Sequence, residues 1–256
     1  MTLRHFTPAA PLFVVLAASA LLTGLALTGC AATASPHSTP ATQNSAPPHP
    51  HVNVPTPAPP LWVGTSATAN TATLTVYAAP GGTATSTLSN PQPSGAPLTL
   101  LVAANNGAWL QVKLAQRPNG STGWVKADAV TLHSLAYSLR ASTEQNTLSL
   151  YKNSMLVKTF TVATGTGGTP TPHGDFYLTE LLAPTNTGYG PYAFGLSAYS
   201  EVLSSFGGGP GQIGLHGTND AASIGRAVSH GCIRLANPDI TELAKLLPLG
   251  TPISIS

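Results

Sequence analysis

Two short segments late in the chain hold what thiol-based acyl transfer requires: Ile213-Gly214-Leu215-His216-Gly217-Thr218 and Ser229-His230-Gly231-Cys232-Ile233-Arg234-Leu235. A thiol with its ordinary pKa of about 8.5 is only a few per cent thiolate near neutrality, so it needs a base beside it, most commonly an imidazole. His216 and His230 are both candidates. His230 would share a strand face with Cys232 but meets the thiol only if the backbone turns, whereas His216 would approach from a neighbouring strand and leave His230 to shape the pocket. Gly231 allows a sharp turn before the thiol, which predicts that the Gly231 and Cys232 amides face an oxyanion, with Ser229 in the same pocket. Arg234 is the one strong cation close to the thiol in sequence, and its planar fork of donors suits a substrate carboxylate. A rival use of His216, His230 and Cys232 is a catalytic zinc site. The expected chemistry itself calls for no metal or cofactor.

Elements must hold these segments in place. Thr147 to Tyr151 and Met155 to Val162 flank Lys152-Asn153-Ser154 as a hairpin, with period-two alternation predicting Leu156, Phe160 and Val162 on one face. Asn237 is a good N-cap, Pro238 suits the first helical position, and Ile240, Leu243, Ala244 and Leu247 form an apolar stripe that Pro248 ends. Ile253 and Ile255, alternating with Ser, read as a last strand. Upstream, between Ala72 and Leu132, β-type runs at Thr73 to Tyr77, Leu98 to Ala103, Trp109 to Leu114 and Gly123 to Val125 alternate with Gly, Pro and Asn turns, the grammar of a small all-β barrel. Trp109 and Trp124 are expected in its core, with the lining of a groove as the alternative.

Only 7% of the residues are charged, and ten Lys and Arg against eight Asp and Glu form no basic run that could neutralise phosphates, so nucleic acid is not an expected partner. Residues 1–30 read as an export signal: Arg4 and His5, then a short apolar stretch from Pro11 to Leu27. It ends in Leu27-Thr28-Gly29-Cys30, which resembles the lipobox of bacterial lipoproteins and implies a diacylated Cys30 as the membrane anchor. Residues 31–62, mostly Ala, Thr, Ser, Pro, His and Asn, cannot bury enough surface to offset their ordering entropy and read as a tether. With Cys30 acylated, Cys232 is left as a lone thiol in an exported chain, which chemistry explains better than packing.

The pairing of Ile-Gly-x-His-Gly-Thr with Ser-His-Gly-Cys-Ile-Arg resembles the L,D-transpeptidase (YkuD-type) catalytic domain. The likeness extends upstream through Val162-Ala163-Thr164-Gly165 and Thr171-Pro172-His173-Gly174-Asp175-Phe176, and downstream through Asn237-Pro238-Asp239 and Gly250-Thr251-Pro252-Ile253. His173 stands where the family often has a small polar residue, and is expected to be exposed. The resemblance implies Cys232 as nucleophile, His216 as its base and Gly217 as the residue whose carbonyl orients that base, with His230 and Arg234 near the bound peptide. Residues 63–133 resemble a bacterial Src-homology-3-like domain. The expected fold is therefore mainly β: that small barrel, then a β-sandwich-like catalytic domain over residues 134–256 with few short helices. The segment from Ala183 to Gly211 reads as a loop over the acyl site, presenting Tyr189 or Tyr192 to substrate. The implied reaction joins peptidoglycan stem peptides by 3→3 cross-links through a cysteinyl thioester, releasing D-alanine. Hydrolysis of the thioester, as in an L,D-carboxypeptidase, and a non-catalytic wall-binding lipoprotein are the rival readings.

Overall fold

The computed structural model describes residues 64–256, and the expected signal segment, Cys30 and the tether lie outside them. The described chain is mainly β. Seven strands come first: β1 (Thr65–Ala69), β2 (Thr73–Tyr77), β3 (Ala84–Ser89), β4 (Thr99–Asn106), β5 (Trp109–Lys113), β6 (Thr122–Lys126) and β7 (Val130–Ser134). They form one sheet in the order β3-β2-β6-β5-β4-β1-β7. Alternation puts Leu74, Val76, Leu110, Val112 and Val125 on its buried face. Trp109 and Trp124, expected among them, fall at the out-facing positions of β5 and β6 and are only half-buried.

The rest of the chain supplies β8 (Tyr137–Ser142), β9 (Thr147–Lys152), β10 (Met155–Thr161), β11 (Thr164–Gly165), β12 (Gly174–Leu182), β13 (Ala193–Tyr199), β14 (Gln212–Gly217), β15 (Ala227–Ser229), β16 (Ile233–Leu235), one α-helix, α1 (Asn237–Leu246), and β17 (Pro252–Ile255). Eight of these strands make a sheet in the order β10-β9-β8-β17-β12-β13-β14-β16, while β11 and β15 pair separately. The core on its inner face includes Leu148, Phe160, Phe194, Leu215 and Ile233, capped by Ile240 and Leu243 of α1. The hairpin between β9 and β10 forms, but a bulge between Leu156 and Lys158 shifts the register. Phe160 and Val162 therefore point inward while Leu156, expected beside them, is 58% exposed.

Two expectations about the loops and the helix change. The stretch from Ala183 to Gly211 is not one long loop, because β13 runs through its middle with Phe194, Leu196 and Ala198 buried in alternation. Shorter segments on either side of β13 remain to flank the site. Ala236, not Asn237, is the N-cap of α1, and no side chain caps the helix; the Asn237 side chain is engaged elsewhere, as described below.

β12 connects the two cores. Its Phe176 and Leu178 face the core of the second sheet, while Tyr177 between them belongs to the core of the first. A strand buried on both faces needs a continuous apolar run, which Phe176-Tyr177-Leu178 provides. The Tyr177 hydroxyl is buried without a hydrogen-bond partner among the described residues, a desolvation cost of about 1–3 kcal/mol. Tyr177→Phe is expected to raise the unfolding free energy by about 1 kcal/mol and Tyr177→Ala to lower it by about 3–5 kcal/mol. Denaturant titration checks both, and a destabilised Phe variant would show that the hydroxyl has a partner.

Candidate active site

The site is built on two parallel neighbours. β14 and β16 pair with Leu215 beside Ile233, His216 beside Arg234 and Gly217 beside Leu235. Continued back one residue, this register sets Cys232 beside Gly214. Residues two apart on a strand share a face, so Cys232 and His216 are diagonal neighbours on one face, within side-chain reach. Gly214 has no side chain to separate them: a Cβ there would stand 3.4 Å from His216 Cδ2 and 3.7 Å from Cys232 Sγ. Its N–H donates to Sγ at 3.3 Å.

His216 is buried, and its Nδ1 lies 2.5 Å from the Gly217 carbonyl oxygen. A carbonyl only accepts, so Nδ1 carries the proton and Nε2 is left with a free lone pair. The segment carrying His216 is held from the far side by Asn237, whose Oδ1 accepts from the Thr218 N–H at 3.0 Å. A Cβ at Gly217 would strike this same Oδ1. Asn237 thus holds the backbone that follows His216, and is not the helix cap that its residue type suggests.

The turn carrying the thiol is clamped by hydroxyls. Ser229 Oγ donates to the Cys232 carbonyl at 2.6 Å and accepts from the Gly231 N–H at 3.1 Å. Buried Thr171 donates to the Gly231 carbonyl at 2.9 Å. Gly231 sits at φ 115°, where a side chain is strained. The Gly231 amide, expected to face an oxyanion together with that of Cys232, is instead engaged by Ser229.

Burial sets the protonation of the pair. It presses the His216 pKa from the usual imidazole value down to about 4; the Gly217 carbonyl opposes this and the Arg234 charge assists it. Burial also raises the Cys232 thiol, against the pull of the Gly214 amide and of Arg234. Both forms neutral is therefore the resting state near pH 7.

Two clefts meet at Cys232, sharing Tyr189, Phe206 and His216 in their walls. One, of about 250 Å³, holds Arg234 and His230. The Arg234 Nε is buried with no hydrogen-bond partner among the described residues. His230 is exposed and stacks on Phe206, ring centres 4.9 Å apart. The other cleft, of about 320 Å³, runs past Gly214 towards Glu180. The Tyr189 ring lies 4.6 Å from that of His216, whereas Tyr192, the other candidate for substrate contact, packs against the core and gives its carbonyl to the Gly217 N–H. Among the described residues no group of three or more His, Cys, Asp or Glu side chains converges as metal ligands would. His173 is exposed, in contact with Thr143.

Phe206 lies on a segment held by the first sheet. Arg117 donates to the carbonyls of Pro210, Ser200 and Leu203 at 2.7, 2.9 and 2.8 Å, and Asn119 exchanges two hydrogen bonds with the Tyr199 backbone. Neither residue carries a sequence signal of this role, since a surface arginine in a turn has no pattern to read.

Residues 136–255 match the model of the family described as "L,D-transpeptidase catalytic domain". The chain is 38% identical over 122 residues to a putative L,D-transpeptidase YkuD of Bacillus licheniformis, covering 48% of this chain and 67% of that protein. The Bacillus subtilis protein of the same name is 36% identical over 124 residues, covering 48% and 68%. Among solved structures, an L,D-transpeptidase from Mycobacterium smegmatis aligns at a TM-score of 0.40 and 16% identity, covering 60% of this chain and 80% of that one.

With its three carbonyl contacts removed, the segment 200–211 should open more often. Arg117→Ala is expected to speed proteolytic cleavage within residues 200–211 by about tenfold, the loss of one charge-assisted hydrogen bond or more. Fragment masses over a digestion time course read this out; an unchanged rate would mean that the segment holds itself.

Proposed function

Since the chain belongs to the L,D-transpeptidase family, whose members act on peptidoglycan stem peptides, we propose that it forms 3→3 cross-links between stems through a thioester on Cys232. The observation that carries this reading is the placement of a thiol and a buried neutral imidazole side by side over Gly214. As the sulfur attacks the carbonyl between the third stem residue and the terminal D-alanine, the thiol proton passes to His216 Nε2. The Cys232 amide faces the oxyanion. His216 returns the proton to the departing nitrogen, D-alanine leaves, and the acyl group stays on sulfur. The amine of a second stem then attacks the thioester, forming an amide and restoring the thiol. A resting pair that is neutral on both sides makes proton transfer part of the attack rather than a step before it. Arg234, whose buried Nε has no hydrogen-bond partner among the described residues, is suited to the terminal carboxylate of the donor.

We further propose that Cys30 carries a lipid anchor on the outer side of the cell membrane, that residues 31–62 span towards the wall, and that the seven-stranded module is a Src-homology-3-like domain. Leu27-Thr28-Gly29-Cys30 supports the anchor. Cys30→Ser is expected to abolish incorporation of a labelled fatty acid and to shift the protein out of the membrane fraction; equal labelling of the variant would refute the anchor.

Intact mass after incubation with a tetrapeptide-stem muropeptide tests the chemistry. The expected gain is the stem minus D-alanine, absent from Cys232→Ala, and D-alanine release by that variant would overturn the nucleophile. His216 is protonated, and useless as a base, only below its lowered pKa. Acylation should therefore stay level down to about pH 5 and fall near pH 4. Arg234→Ala, which removes a charge opposing imidazolium, should move that fall upward. An acid limb near 6.5 in the wild type would contradict a buried neutral base.

A further inference from the structure

Glu180, Gly195, Gly214 and Cys232 stand in one row across four neighbouring strands. Glu180 pairs with Gly195, and Gly195 with Gly214; the register of β14 and β16 puts Cys232 beside Gly214. Glu180 reaches this row through a bulge. Two residues beyond Leu178, which is buried in the core, a regular strand would turn Glu180 into that core as well. The register shift between Leu178 and Glu180 re-aims it to the face that carries the thiol.

Paired residues project from the same face, so the row has a carboxylate at one end, a thiol at the other and only glycines at the two positions between them; Thr179 Oγ1, 2.8 Å from where a Gly195 Cβ would stand, and His216 Cδ2, 3.4 Å from where a Gly214 Cβ would stand, border the gap. Both ends lean inward. A Cβ at Gly195 would stand 2.7 Å from Glu180 Oε1, and one at Gly214 would stand 3.7 Å from Cys232 Sγ. Cross-strand Cβ positions are about 5 Å apart, so carboxylate and sulfur face each other over a glycine floor across a gap on the order of 5–10 Å. They line the same cleft of about 320 Å³. The Glu180 carboxylate is half-buried, and no donor among the described residues engages it. Arg234, whose buried Nε has no partner among the described residues, lies in the other cleft.

Resting on the cross-linking reading above, we propose that the glycine-floored cleft is the acceptor site and that Glu180 recognises the acceptor as a primary ammonium. The gap admits the end of an alkylammonium chain, held by the carboxylate within reach of the acyl carbon on sulfur. In the open cleft the ammonium loses one proton to water. Its nitrogen lone pair then attacks the thioester carbonyl, the C–N bond forms and the C–S bond breaks. The second proton passes from nitrogen through His216 to Sγ, leaving an amide and a neutral thiol. An unpaired carboxylate repels the donor's own terminal carboxylate from this cleft, which directs the donor to the Arg234 side.

The test uses the full chain in detergent, with a tetrapeptide-stem muropeptide as donor and a tripeptide-stem muropeptide, which has no D-alanine to lose, as acceptor. D-alanine release in the first turnover reports donor chemistry without an acceptor, and is the reference for the second step. Glu180→Gln is expected to raise the acceptor concentration for half-maximal cross-linking about tenfold relative to that reference, the size of one charge-assisted hydrogen bond. Glu180→Asp should recover part of this, and added salt should weaken acceptor use by the wild type but not by the Gln variant. If Glu180→Gln slows both steps equally, or neither, Glu180 does not serve the acceptor and the inference fails while the cysteine chemistry stands. Wild-type protein that releases no D-alanine would instead sink the cross-linking reading, and this proposal with it. Should Glu180→Gln not fold, the comparison of Glu180→Asp with wild type across salt decides the same question.

Discussion

The parallel pairing of Gln212–Gly217 with Ile233–Leu235 is the constraint on which the site depends. It places thiol and imidazole on one face at diagonal positions, and the contact then requires that the position between them be empty. Gly214 meets that requirement and adds an N–H to the sulfur. Every neighbouring feature protects this register: Asn237 holds the backbone after His216, Ser229 and Thr171 hold the turn before Cys232, and Ile240 with Leu243 closes the inner side. A shift of one residue between the two strands would leave the thiol and the imidazole on opposite faces.

The same burial that fixes the geometry fixes the charge state. Desolvation opposes imidazolium and thiolate alike, so the two shifts reinforce one another instead of producing an ion pair. Arg234 acts on both in the same sense as far as negative charge is concerned: it favours the thiolate and disfavours the imidazolium. In the proposed mechanism, keeping Cys232 protonated until substrate arrives limits idle reaction of the thiol and makes His216 necessary during attack. The buried Arg234 Nε has no hydrogen-bond partner among the described residues, in keeping with the substrate carboxylate proposed for it.

Much of this was legible in the sequence because it is local. The two segments around His216 and Cys232, the hairpin after Thr147 and the apolar stripe of the last helix each follow from short spacing rules. What escaped depended on long-range partners. Asn237 has the residue type of a cap, yet its side chain serves Thr218. Composition rich in Gly, Tyr and Ser concealed β13, whose alternating Phe194, Leu196 and Ala198 carried the signal. Bulges at Val157 and Thr179 each reverse a face, and no residue type announces them. The loss of the Gly231 amide to Ser229 needs the folded turn to be seen.

The catalytic family matches residues 136–255, but the walls of the site do not depend on those residues alone. Phe206 borders both clefts and stacks on His230, and the segment that carries it is bound by Arg117 and Asn119 from outside that span. Tyr177 ties the two cores together through a single strand, β12, and Glu180 lies on the same strand three residues later. Any rocking of the first sheet against the second must therefore move β12 or strain the Arg117 contacts, and either motion reaches the clefts beside Cys232. In this chain the first sheet is part of the mechanical frame of the site, whatever else it binds.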